Sequence, residues 1–283
     1  MIKILVPVDF TKVSFSAYNY AIHLAKEMDA EITAIHVING SFTTADSMFL
    51  DTMDASYEAG KSRLNYFINE YSSKMGVEGA DIITKTEVRF GVSGFTIADF
   101  ANDQAFDYVV AGMRDSHSII ERVLGTTSSI VTKLTSCPVI LVHENTRWIK
   151  PAKIIFTMDN STDFDESVDR FIAFNKFFKA ATDFIHIKKE ESKTERTKNA
   201  LINQVFNKKE PEFAFTLKNI YGGDIVQSIV DYSIFEKADM LVMVHRKRSF
   251  LDSIFKQSVS LRTAEGIHLP IMVLEENPPV SHT

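Results

Sequence analysis

Lys3-Ile4-Leu5-Val6-Pro7-Val8-Asp9 returns 150 residues later as Lys153-Ile154-Ile155-Phe156-Thr157-Met158-Asp159. Ile35-His36-Val37 returns at the same offset as Ile185-His186-Ile187. Further along, the offset becomes 132: Gly91 pairs with Gly223, Ile97 with Ile229, Asp107 with Asp239, Arg114 with Arg246, and Pro138 with Pro270. Two constant offsets differing by 18 mean one compact deletion in the second copy, opposite residues 38–88 of the first. A chain that repeats once at this length is two copies of one domain. At 283 residues it gives each copy ordinary domain size. The expected boundaries are 1–146 and 147–283.

Each copy alternates short apolar runs with longer amphipathic stretches. In the first, strands are predicted at 2–8, 31–38, 82–89, 107–111 and 138–143. Helices are predicted near 13–29, 46–75, 93–105 and 126–135, the first on the spacing of Ala17, Ala21, Leu24, Ala25 and Met28. The second copy predicts strands near 152–158, 182–187, 212–217, 239–244 and 270–274. Runs apolar on both faces suit parallel strands covered by helices on both sides. The expected fold class is therefore α/β, with two tandem doubly wound five-stranded parallel sheets. Val139-Ile140-Leu141-Val142 and Ile271-Met272-Val273-Leu274 are expected at sheet edges, where apolar strands need a cover. Either helices cover them, or the edges meet and the tandem forms its own pseudo-twofold dimer. Phe171, Phe174, Phe177 and Phe178 form a stripe assigned to the core.

Composition excludes several classes. No apolar run approaches the ~18 residues of a membrane span, and the N-terminal run meets Pro7 and Asp9 too early for a signal peptide. A single cysteine, Cys137, leaves no intrachain disulfide, as in a reducing cytoplasm. The net charge of −6 argues against nucleic acid or an anionic membrane as partner. That charge is uneven. Residues 1–146 carry 11 Lys and Arg against 18 Asp and Glu, whereas residues 147–283 carry 20 against 19. Copies so different in charge have diverged in what they bind.

The chemistry concentrates after the fourth strand of the first copy. Tyr108-Val109-Val110-Ala111 runs into Gly112-Met113-Arg114-Asp115, and Gly125-Thr126-Thr127-Ser128-Ser129 then opens a helix. A glycine at the carboxyl end of a parallel strand lets backbone amides approach a ligand. A Gly-Thr-Thr-Ser run at a helix start supplies amides and hydroxyls where the helix dipole favours an anion. Together these are two halves of a phosphate cradle. The same residues also serve as a strand terminus and a helix cap, and both readings stand.

The pattern resembles the G-x2-G-x9-G-[S/T] motif of ATP-binding universal stress proteins, with Gly112, Asp115, Gly125 and Thr126 on its fixed positions. The resemblance takes in both copies, including Pro7-Val8-Asp9-Phe10-Thr11, the Ile-His-Val strand and the Ser-Cys-Pro-Val entry to strand five. It implies the adenine-nucleotide α-hydrolase-like fold, with strand order 3-2-1-4-5, and a cytoplasmic stress-response regulator. It further implies pairing of the two domains through strand five as an intramolecular pseudo-dimer, with a further homodimer or a signalling protein as outside partners. Adenine and ribose contacts are implied at Pro7, Val8, Asp9, Val37 and Ala111. Phosphates are implied at Gly112, Gly125, Thr126 and Thr127, and Mg²⁺ would accompany ATP or another adenine nucleotide.

The departure is Asp115, which stands where the motif has glycine. Its charge near a phosphate implies weakened or altered binding, unless Mg²⁺ bridges them, Arg114 or Arg122 pairs with it, or it turns outward. The second copy has Val244, Lys247 and Gln257 at the motif positions and keeps only Ser258; it is read as degenerate. Its loop His245-Arg246-Lys247-Arg248-Ser249 is either a solvated basic surface or a contact for an anion or acidic partner. His36 and His186 are read as strand histidines with satisfied hydrogen bonds, without Cys or His partners at metal-ligand spacing. No catalytic residue is assigned. The rival readings are an interaction module that binds no nucleotide and a slow ATP hydrolase.

Overall fold

The computed structural model of the chain describes residues 1–40, 47–74, 82–113, 126–144, 146–158, 165–188, 211–245 and 268–275. These fall into two compact units, the first ending at 144 and the second beginning at 146. The first unit runs β1 (Ile2–Pro7), α1 (Lys12–Met28), β2 (Ala30–Ile38), α2 (Ser47–Lys74), β3 (Thr84–Phe90), α3 (Ser93–Asp103), β4 (Tyr108–Met113), α4 (Thr126–Leu134) and β5 (Val139–His143). Its strands lie in the order β3-β2-β1-β4-β5, all parallel. Ile4 sits opposite Ile32 on one side and Tyr108 on the other. Ile4, Leu5, Val6, Val109 and Val110 are fully buried, as central strands covered on both faces must be.

Helix α1 forms because apolar residues recur on one face and both ends are closed. Thr11, in an extended conformation, accepts a hydrogen bond from the Ser14 amide at the N-cap. At the other end Asp29 turns into the left-handed region and its N–H bonds the Ala25 carbonyl. Val13, Ala17, Tyr18, Ala21, Leu24, Ala25 and Met28 are buried between the caps. Phe15 on Tyr71 and Tyr18 on Phe67 pack α1 against α2. Asn102 of α3 donates to the Leu134 carbonyl and accepts from the Ser136 amide, which ties α3 to the end of α4. Right-handed crossovers place the α1–α2 pair and the α3–α4 pair on opposite faces of the sheet.

The second unit repeats the plan with β6 (Lys153–Met158), α5 (Asp165–Asn175), β7 (Ala181–Lys188), β8 (Phe215–Tyr221), α6 (Ile225–Phe235), β9 (Met240–His245) and β10 (Ile271–Glu275). Its strand order is β8-β7-β6-β9-β10, the same winding, again parallel. The shared Asp107/Asp239 position has one job in both units. The Asp107 carboxylate accepts from the Lys3 amide at 2.8 Å, and Asp239 accepts from the Lys153 amide at 2.8 Å. Each aspartate clamps the first strand against the fourth. The core of this unit is aromatic, with Phe171 against Phe156, Phe184 and Phe213. Of the predicted stripe, Phe171 and Phe174 are fully buried, while Phe177 and Phe178 lie half-buried beyond the end of α5.

Two expectations need correction. The strand predicted near 212–217 is β8, Phe215–Tyr221. Among the described residues it pairs only with β7 in its unit, so its second half, Lys218-Asn219-Ile220-Tyr221, needs no continuous apolar run to persist. The glycine pairing also shifts. Gly91 and Gly222 each follow the last residue of their strand, and a side chain on either would collide with the Thr96 or the Ser228 hydroxyl. Gly222 is thus the counterpart of Gly91. Gly223 is an added loop residue, with nothing within 4 Å of where its Cβ would stand. The second-copy segment 189–210, where the deletion falls, lies outside the described residues.

Candidate functional site

The strand order reverses at β1, since β2 lies on one side of it and β4 on the other. Such a reversal opens a crevice over the carboxyl ends of the strands. A cavity of ≈ 280 Å³ occupies that place. Pro7, Val8, Asp9 and Thr11 form the wall after β1, and Ile35, His36, Val37 and Asn39 form the wall from β2. Ala111 and Gly112 close the β4 side. The first two turns of α1, α3 and α4 supply Val13, Ser14, Ser93, Ile97, Thr127, Ser128 and Val131.

The turn between β1 and α1 is fixed by local bonds. The Val8 amide continues the strand ladder to the Ile35 carbonyl at 2.8 Å. Asp9 Oδ1 then accepts from the Thr11 amide at 3.1 Å and the Thr11 hydroxyl at 2.6 Å. Between them Phe10 holds φ 63°, a left-handed conformation that bulky residues rarely adopt. The His36 ring sits 4.5 Å from the Phe10 ring, and its Nδ1 donates to the Val8 carbonyl at 2.8 Å. Beyond β2, Asn39 Oδ1 accepts from both the amide and the hydroxyl of Ser93. It caps α3 from a distance, because the N-cap residue Val92 makes no side-chain cap bond.

Gly112 has a reason to be glycine beyond the one expected. A Cβ there would stand 2.5 Å from Val13 Cγ1 and 3.0 Å from the Val13 carbonyl oxygen. The close approach is that of α1 to β4, so packing demands the glycine before any ligand does. Ser128 Oγ donates to the Gly112 carbonyl at 2.7 Å, which docks the first turn of α4 on the end of β4. Thr127 and Gly112 therefore share one rim.

Pro7, Val8, Asp9, Val37, Ala111, Gly112 and Thr127 all line the cavity. Thr126 opens α4 as its first residue. Arg114, Asp115 and Gly125 lie outside the described residues, as do Arg122 and the loop residues 246–249 of the second copy. Thr11, Ser14, His36, Asn39, Ser93 and Ser128 line the cavity without having been assigned to it from sequence. Of these, the sequence placed Ser128 in the Gly-Thr-Thr-Ser run of the cradle, quoted Thr11 only as part of the resemblance, and read His36 as a strand histidine. Among the described lining residues Asp9 and His36 are titratable and none is Lys or Arg. Main-chain amides and hydroxyls are what they offer an anion. Among the described residues no group of three or more His, Cys, Asp or Glu is placed to hold a metal ion. No described helix is long and apolar enough to cross a membrane.

The family model described as the universal stress protein family matches residues 1–143. The chain belongs to this family. Universal stress protein YxiE of Bacillus subtilis is 29% identical over 152 residues, covering 50% of this chain and 98% of that protein. Universal stress protein MJ0531 of Methanocaldococcus jannaschii is 30% identical over 145 residues, covering 50% and 82%. A solved universal stress protein from Archaeoglobus fulgidus aligns along 97% of this chain and 98% of its own. Its TM-score is 0.70 at 16% sequence identity, a likeness of fold. The Bacillus and Methanocaldococcus relatives each match half of this chain, and the fold of the Archaeoglobus protein matches along nearly all of it.

Proposed function

We propose that the first unit binds an adenine nucleotide in the crevice over β1 and β4, weakly or in an altered pose, and that the chain acts as a stress-response regulator. One observation carries this reading. Pro7, Val8, Asp9, Val37, Ala111, Gly112 and Thr127, singled out by resemblance to ATP-binding members, come from separate stretches of sequence to one cavity. At ≈ 280 Å³ it lies just below the usual range of ligand pockets, ~300–1,000 Å³. The β1 and β2 walls, with Val8, Ile35 and Val37, suit a flat aromatic base. The Gly112–Thr127 rim, with its hydroxyls and helix start, suits phosphate.

Asp115 sets the strength. A carboxylate about 4 Å from a phosphate charge costs about 4 kcal/mol at an effective dielectric near 20. That weakens binding by roughly three decades. A Mg²⁺ ion between carboxylate and phosphate reverses the sign, since such ions bind through one or two carboxylates plus substrate phosphates. Titration calorimetry with ATP tests this: weak binding without divalent metal and tighter binding with Mg²⁺ are expected. Micromolar affinity without metal contradicts the proposed weakening. The same Asp115 favours a second reading, an interaction module that binds a signalling protein and no nucleotide. Adenine nucleotide released from protein purified without added nucleotide would argue against that reading.

A further inference from the structure

We infer that His36 is the positioning residue of the cavity: it holds the Val8–Phe10 turn in the one shape that lets β1 form a ligand wall. This rests on the reading of the cavity as a ligand site. The Val8 carbonyl is the first acceptor beyond the β1 ladder, and Val8 itself is buried. A carbonyl only accepts, so His36 Nδ1 carries the proton in the 2.8 Å bond between them. That bond closes one end of a turn whose middle residue, Phe10, holds a left-handed backbone at φ 63°. A residue kept in so sparsely populated a conformation persists only where its surroundings over-determine it.

Three contacts supply that determination. The Phe10 ring lies 4.5 Å from the His36 ring and 5.9 Å from Phe67 of α2. The Arg63 guanidinium covers the same Phe10 ring at 4.1 Å. Helix α2 comes close to β2 at Gly60, where a Cβ would stand 3.1 Å from Ile38 and 3.6 Å from His36 Cδ2. The imidazole thus fills a slot between the turn and α2, with one edge hydrogen-bonded and one face against Phe10. Without the N–H, the Val8 carbonyl loses its partner beside a buried residue, and Phe10 loses part of what holds its backbone. Pro7, Val8 and Asp9, three of the residues that would meet the base and ribose, move with that turn.

The test separates the hydrogen bond from the ring. In the full chain, H36F keeps an aromatic face for Phe10 and removes the donor, whereas H36N keeps a donor near the Nδ1 position and removes the ring. Amide hydrogen exchange at Val8 and Thr11 without ligand, and ATP affinity with Mg²⁺, are measured for both. In H36F, loss of the carbonyl's partner is expected to speed exchange about tenfold or more and weaken ATP by a similar factor. H36N, which keeps the donor and loses only the ring contact, is expected to restore most of both. Wild-type behaviour in H36F, or H36N as impaired as H36F, overturns the assignment. If the wild-type chain binds no ATP, the nucleotide reading fails, and the exchange rates still decide the role of His36.

Discussion

Gly112 shows how a correct residue can be chosen for an incomplete reason. The sequence marks it as a glycine after a strand and before a helix start, and the structure adds that α1 presses on it through Val13. Gly112→Ala is expected to destabilise the first unit by about 1–3 kcal/mol, the ordinary cost of overpacking, measured by urea denaturation. The second copy carries Val244 at this position, so its own close approach cannot be the same one. Asp115→Gly, in contrast, should tighten ATP by up to roughly three decades in calorimetry without metal. An unchanged affinity would show that the Asp115 charge does not face the phosphates. His36 was legible as a strand histidine with a satisfied bond, and the bond to Val8 is there. That it also lines the cavity was not legible. The contact depends on how the turn at Phe10 folds back, which no spacing in one strand reports.

At the scale of elements, the repeat and the apolar runs were enough to place every described strand, and only polar edge strand β8 began several residues late. What periodicity misses is chemistry that diverges between equivalent elements. In the second unit Asp183 of β7, 1% exposed, receives Lys153 Nζ at 2.8 Å, Thr216 Oγ1 at 2.5 Å and Tyr232 Oη at 2.7 Å. Lys218 and Glu236 complete the network. The first unit has Thr33 at the Asp183 position, so nothing in the repeat announces this cluster. Burial alone would raise the Asp183 pKa; the bonds from Lys153, Thr216 and Tyr232 and the Lys153 charge outweigh it and hold it at about 2. A depressed carboxylate stabilises fully above its ordinary value of 3.8 and ceases to do so as pH falls through 2. The contribution at neutral pH is about 2 kcal/mol. Asp183→Asn removes that charge while Glu236 still faces both lysines, and should cost about 2 kcal/mol. Trp148, the only tryptophan, lies 6.4 Å from Phe178 in this unit and reports its unfolding by fluorescence. Glu275, at the end of β10, has the opposite sign. Burial, opposed by Arg170, raises it to about 7, so its contribution is present below pH 4.5 and lost as pH rises through 7. Glu275→Gln should flatten the loss of second-unit stability between pH 5 and pH 8, read by the same fluorescence.

Across the whole molecule, duplication followed by divergence explains the division of labour proposed here. Both units keep the winding, the parallel register and the aspartate that clamps strand one to strand four. Only the first keeps glycine at the end of its fourth strand and the Gly-Thr-Thr-Ser helix start, and the chain should therefore bind one nucleotide rather than two. Native mass spectrometry of the 32.0 kDa chain with ATP and Mg²⁺ should show a single adduct, and a second adduct of equal affinity would mean the second copy has kept a site. The most direct measurement is a titration of the isotope-labelled full chain with ATP and Mg²⁺, followed through its backbone amide resonances. Shifts gathered at Val8, Val37, Ala111, Gly112 and Ser128 are predicted. A spectrum that does not move at those amides, or moves at β6, β7 and β9 instead, would contradict a nucleotide site over the first sheet.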